Sequence, residues 1–231
     1  MFISIKLKTI IMAIIFIVIL LLSFIVFKSV KSANASQKPK EQITVVIDAG
    51  HGGIDGGSVG KTTGVTESEL NLIFAKNLSN QLNKMNISTV LTRENNGGLY
   101  EENAKNLKRS DMKKRKEIIE KVNPRLVVSI HMNSFPLSSS KGAQVFYKKD
   151  NLQGKDLAQN IQDQLCSIID GTRQSAKVGD FYIVNCTSIP AVLIECGFLS
   201  NEIEENLLTK KDYQNKVCYS ILSGIISYLN Q

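Results

Sequence analysis

The 231 residues contain two histidines, His51 and His131. Each closes a short apolar run. Val45-Val46-Ile47-Asp48-Ala49-Gly50 leads into His51, and Leu126-Val127-Val128-Ser129-Ile130 leads into His131. A third run, Ala191-Val192-Leu193-Ile194, ends in Glu195. Imidazoles and carboxylates are the ligands of a catalytic zinc, which takes three protein groups and a water. In open parallel α/β sheets functional groups gather beyond the carboxyl ends of the strands. Three buried strands with such endings predict a zinc hydrolase. The spacing is not the HExxH helix of many metalloproteases, so the ligands must converge from distant parts of the chain. With two histidines in hand, the third ligand is an acid, and the pattern alone does not choose it. Glu195 has two possible roles. It is either a partner in a buried salt bridge, or a general base toward water and then an acid toward a leaving amine.

Strands must carry these residues, and the chain alternates strand and helix signals. Strands are predicted over residues 43–48, 87–92, 126–131, 143–147, 181–184 and 191–195. Helices are predicted over 67–85, with Leu70, Phe74, Leu78 and Leu82 on one face, over 111–122, around Leu157, Ile161, Leu165 and Ile168, and over 212–229. Residues 94–110 read as a polar surface loop. The expected fold is a single α/β domain with a twisted, mostly parallel sheet flanked by helices on both faces. The glycine-rich turn from Gly50 to Gly64 is neither a dinucleotide fingerprint nor a phosphate loop, because Asp55 stands where a third glycine belongs and no Gly-Lys-Ser/Thr follows.

Residues 1–31 read as a membrane anchor or signal segment, 32–42 as a linker and 43–231 as the catalytic domain. The uncharged run over residues 9–27 has the length to span a bilayer, and Lys6 and Lys8 precede it. Ala33-Asn34-Ala35 offers a small-residue cleavage pattern, but the run is long for a cleaved signal, which favours an anchor. Either way the catalytic part lies outside the cytoplasm, membrane-anchored or secreted. The net charge is +7, and without the four lysines of residues 1–31 it is +3, from 24 basic and 21 acidic residues. That mild charge suits an anionic wall polymer or membrane and argues against nucleic acid as a partner. Cys166, Cys186, Cys196 and Cys218 match no zinc knuckle. Four small buried thiols are the simpler expectation, with a Cys186–Cys196 disulfide as the alternative.

Five motifs occur in order: Asp48-Ala49-Gly50-His51-Gly52-Gly53-x-Asp55, Glu67-x-x-Leu70-Asn71-Leu72, Leu91-Thr92-Arg93, Ser129-Ile130-His131-x-Asn133-Ser134 and Ile194-Glu195-Cys196-Gly197-Phe198-Leu199-Ser200-Asn201. Together they resemble the zinc-dependent N-acetylmuramoyl-L-alanine amidases of the amidase-3 type, over residues 43–230. The resemblance implies a peptidoglycan substrate, cleaved at the amide between N-acetylmuramic acid and L-alanine. It implies zinc (Zn2+) on His51, Glu67 and His131, with Glu195 catalytic. A single such domain behind an apolar leader is similar to the germination-specific amidases of spore formers, which act on cortex peptidoglycan. Some members need an activating protein partner. The chain departs from many relatives at Ala49, where they have proline, and in a slightly longer loop before Glu67.

Helical phase separates Glu67 from its neighbour Glu69. At about 100° per residue, Glu67 lies in line with Phe74 and Leu78 and Glu69 points away. Thr66 and Glu69 fit a capping box instead. Arg93, Arg115 and Asn133 are weaker candidates for contacts to substrate or ligands. For Arg115 a stem lying over apolar surface, with its head in water, is an equal expectation. A cysteine hydrolase built on Cys196, another zinc amidohydrolase or peptidase, and an inactive wall-binding scaffold are the rival readings. Cys196 and Glu195 project from opposite strand faces, which counts against the first.

Overall fold

The computed structural model describes residues 2–35 and 43–231. They belong to two compact units, divided between Gln42 and Ile43. The first contains one helix, α1 (Phe2–Ala35). Its stretch Thr9–Lys28 is, among the described residues, the one helical segment long and apolar enough to cross a membrane. Twenty helical residues rise about 30 Å, the thickness of the hydrocarbon layer. Residues 32–35 of the expected linker lie in this helix, and residues 36–42 fall outside the described residues.

The second unit is a six-stranded mixed sheet flanked by helices. Its elements run β1 (Thr44–Ala49), α2 (Glu67–Lys84), β2 (Ser88–Leu91), α3 (Leu107–Val122), β3 (Leu126–Asn133), β4 (Gln144–Tyr147), α4 (Leu152–Cys166), β5 (Lys177–Val178), α5 (Tyr182–Asn185), β6 (Ala191–Phe198), α6 (Glu202–Leu208) and α7 (Lys211–Leu229). The strand order is β2-β1-β3-β6-β4-β5. The first four are mutually parallel, whereas β4 runs antiparallel to β6 and β5 parallel to β4.

Side-chain alternation along the strands divides the core in two. Val45, Ile47, Val128, Ile130, Val192 and Ile194 face the larger layer, with Phe74 and Leu78 of α2, Leu157 of α4 and Ile221 of α7. Val46, Val127 and Leu193 face the smaller one, with Ile119 of α3 and Ile183 and Val184 of α5. Asp48, Ser129, His131 and Glu195 share the phase of this second face, so the chemistry-bearing side chains leave the sheet on its thinner side.

Several boundaries differ from the sequence-based expectation. Residues 181–184 form no strand. Phe181 caps a one-turn helix whose Ile183 and Val184 fill the smaller core, and a four-residue apolar run carries no period to distinguish the two states. Helix α3 begins four residues early because the Asn106 side chain caps it, accepting from the Arg109 N–H. Helix α6 was not expected, although Asn201 caps it by accepting from Ile203 and Glu204. All four cysteines are free thiols, so Cys186 and Cys196 form no disulfide. Cys196 and Cys218 are buried in the larger core, whereas Cys166 and Cys186 are only half-buried, Cys186 against the smaller core.

Candidate metal centre

The parallel strands end on one edge, and the candidate residues meet there. His51 follows β1 in the glycine turn. Its backbone is left-handed, at φ 60°. His131 and Glu195 are paired in register across the β3–β6 ladder. Neighbouring strands lie about 4.8 Å apart, so two side chains on one face at paired positions open onto the same space. Glu67 is the first residue of α2, brought to the strand ends because that helix packs Leu70, Phe74 and Leu78 on the sheet.

One ligand atom each from His51, Glu67 and His131 falls within 4.8 Å of the others. His51 Nε2 lies 3.0 Å and His131 Nδ1 2.9 Å from the same oxygen, Glu67 Oε1. The other Glu67 oxygen accepts the Ser58 N–H at 2.9 Å. The remaining nitrogen of His51, Nδ1, meets Asp55 Oδ1 at 3.0 Å. A carboxylate behind a ligating histidine fixes the tautomer and the ring's direction. Two glycines make room. A Cβ on Gly50 would sit 2.2 Å from His131 Nε2, and one on Gly57 would sit 2.5 Å from Glu67 Oε2.

The protonation states follow from these contacts. Burial works to raise the Glu67 carboxyl, but the two imidazoles overcome it and hold the group well below the usual carboxylate range. Burial works to lower His51, but Glu67 and then Asp55 raise it above the ordinary histidine value. Glu195 differs. Burial pushes it up to about 7 against the opposing pull of His131. Its Oε2 is sealed from solvent and has no hydrogen-bond partner. A buried salt bridge therefore does not describe it. These groups open into a groove of about 620 Å3, whose walls include Lys108, Met112, Asn133, Phe181 and Tyr182.

A donor set of two imidazoles and one carboxylate, one oxygen of which already draws both rings, fits a zinc ion. Glu69 is turned away. It is exposed and completes the capping box with Thr66, accepting the Thr66 N–H at 3.0 Å. Asn133 lines the groove, and Arg115 lines it from a buried position, whereas Arg93 is buried beneath the turn. The Arg115 head is not in water. It is 1% exposed and paired with Asp48 and Asp111. The sequence reading missed Asp111 and the role of Asp48. A carboxylate inside Val45-Val46-Ile47-Asp48-Ala49 was the available signal, since such a charge needs a buried partner.

Residues 45–227 match the family described as N-acetylmuramoyl-L-alanine amidase, Amidase_3. The germination-specific N-acetylmuramoyl-L-alanine amidase of Bacillus subtilis is 34% identical over 223 residues, covering 91% of this chain and 93% of that protein. Among solved structures, the CwlD amidase of Clostridioides difficile, determined in complex with the GerS lipoprotein, is 40% identical with a TM-score of 0.78, over 82% of this chain and 99% of that one. The catalytic domain of CwlV from Bacillus (Paenibacillus) polymyxa is 32% identical with a TM-score of 0.72, over 82% and 99%. The chain belongs to the N-acetylmuramoyl-L-alanine amidase family.

Proposed function

We propose that this amidase hydrolyses the bond between N-acetylmuramic acid and L-alanine in peptidoglycan with zinc held by His51, Glu67 and His131 and with Glu195 as the acid–base residue. The observation that carries the reading is the convergence of both histidines on Glu67 Oε1, on the floor of a groove that Glu195 also lines. Zinc held there supplies Lewis-acid polarisation of the scissile carbonyl and a more acidic water.

The protein's own residues do the rest. Asp55 orients His51, and the Ser58 N–H fixes the second Glu67 oxygen. As water attacks the lactyl carbonyl carbon, Glu195 takes its proton. When the C–N bond breaks, Glu195 gives that proton to the departing alanine nitrogen. A carboxyl raised to about 7 suits both transfers, because it holds and releases a proton near neutral pH.

The substrate lies outside the cytoplasm, and an apolar helix over Thr9–Lys28 supports anchorage to the membrane beside it. The similarity to a germination-specific amidase supports spore-cortex peptidoglycan as the substrate. The lipoprotein complex of the C. difficile relative supports a protein partner for this chain as well. Mass spectrometry of purified cortex peptidoglycan, digested with the full-length chain with and without added zinc, tests the reaction. Release of peptides with a free L-alanine amino end, only when zinc is present, is the expected result. Cleavage elsewhere in the stem, or full activity in the presence of a chelator, overturns it.

A further inference from the structure

Three consecutive carbonyls of the histidine turn point at buried guanidinium groups. Arg93 donates from Nε to the Ala49 carbonyl at 2.9 Å, and from Nη2 to those of Gly50 at 2.9 Å and Ser68 at 2.8 Å. Arg115 donates from Nη1 to the Ala49 carbonyl at 2.8 Å and from Nη2 to the His51 carbonyl at 2.6 Å. Its remaining contacts are carboxylates. Nε meets Asp111 Oδ2 at 2.5 Å and Nη1 meets Asp48 Oδ1 at 2.6 Å. Asp48 is held in turn by the hydroxyls of Thr92 and Ser129.

Such a cluster is a poor way to fill space. Well-packed hydrocarbon at a buried ion pair is often as stable or more so. A guanidinium can do what hydrocarbon cannot, because its fixed fork of donors sets the direction of several acceptors at once. The acceptor that matters is the His51 carbonyl. A left-handed backbone is uncommon outside glycine, and His51 has it. Rotation of that peptide would swing the imidazole away from Glu67.

We propose that Arg115 is a positioning residue for His51. Its grip on the His51 carbonyl holds the left-handed turn that aims Nε2 at Glu67, and the two aspartates hold Arg115 itself in place. The proposal rests on the reading of His51 as a metal ligand.

The test uses the full-length chain in detergent. Zinc affinity is measured by competition with a chromophoric chelator, and ligand geometry by the absorption spectrum of the cobalt-substituted protein. Arg115→Lys keeps the charge and loses the fork. It should weaken zinc binding by about 10–100-fold, the range for residues behind the ligands, and alter the cobalt spectrum. Ile119→Ala, one turn further along α3, removes core packing without touching the histidine turn. It should lower Tm and leave affinity and spectrum unchanged. Asp111→Asn keeps Arg115 but weakens its anchor, and should give a smaller affinity loss should Arg115→Lys not fold. Wild-type affinity and spectrum in Arg115→Lys, or in Asp111→Asn where the lysine variant does not fold, overturn the proposal. Equal losses in Arg115→Lys and Ile119→Ala also overturn it, because general loosening would then explain both. Failure of the unaltered chain to bind zinc would instead remove the metal-centre reading beneath it.

Discussion

Glu195 faces His131 across the β3–β6 ladder, paired residue to residue, yet no hydrogen bond satisfies its buried Oε2. An unpartnered carboxylate at the floor of a groove is destabilising, and it is available for proton transfer. Both consequences can be measured on one substitution.

The first is stability against pH in the metal-free chain. Burial raises the folded-state pKa of Glu195 from 4.5 to about 7. The neutral form is therefore favoured in the fold. Its contribution is fully present below pH 4.5 and is lost as pH rises through 7. That shift corresponds to on the order of 3 kcal/mol. Glu195→Gln stays neutral throughout. Denaturation of the metal-free variant should match wild type near pH 4.5 and exceed it by about that amount at pH 8. Equal stability at pH 8 would show that the carboxylate is already compensated.

The second is turnover. Glu195→Gln should retain zinc at the wild-type ratio and lose kcat by about 10²–10⁴-fold, the range for general acid–base catalysis, with little change in KM. Loss of zinc along with activity would make Glu195 a ligand. Cys196→Ala should leave both quantities near wild type. That thiol is buried in the larger core on the opposite strand face, and burial pushes its pKa well up.

Gly50→Ala tests how closely the turn and His131 are fitted. The added methyl would overlap the imidazole, with 2.2 Å to Nε2 and 2.3 Å to Cε1. The ring has to move, and its Nδ1 leaves Glu67. Zinc content measured by elemental analysis should fall sharply while the folded far-UV dichroism persists. Full zinc content would mean that the turn shifts and the ring does not.

Residues 9–27 are expected to anchor the chain. Expressed full-length, the protein should sediment with membranes, resist alkaline washing and keep its amino terminus, as read by mass spectrometry. A soluble product beginning at Ser36 would identify cleavage after Ala33-Asn34-Ala35.

The sequence was most legible where an apolar run and its end-group coincide. The continuous apolar runs from Val45, Leu126 and Ala191, alternating with helical segments, pointed to a buried parallel sheet, and the residue types at their ends pointed to the groove. Phe181–Val184 was misread because four apolar residues fit one helical turn as well as a strand. For Arg115 two readings stood open, and the one with its head in water failed for a different reason. An arginine on an amphipathic helix usually snorkels, and only the fold brings Asp48, from a strand 67 residues away, against it. Asp55 was visible in the glycine motif, but its contact with His51 depends on the left-handed turn, which sequence does not display.

Glu67 and Glu69 stand two residues apart at the start of α2, and they separate ligand chemistry from helix capping. Glu67 is 4% exposed, and its carboxylate receives both histidines and the Ser58 N–H. Glu69 is exposed and bonds back to the backbone and hydroxyl of Thr66. A helix N-cap contributes about 0.5–2 kcal/mol, and Glu69→Ala removes part of it while Thr66 still accepts the residue 69 N–H. That variant should melt a few degrees lower and hold zinc at the wild-type ratio. Glu67→Ala should keep the fold and lose the metal, because two imidazoles alone leave the site one ligand short. Loss of zinc from Glu69→Ala with retention in Glu67→Ala would reverse the assignment. Equal retention in both would place the third ligand elsewhere, among the other carboxylates that line the groove, Asp48, Asp55 and Glu195.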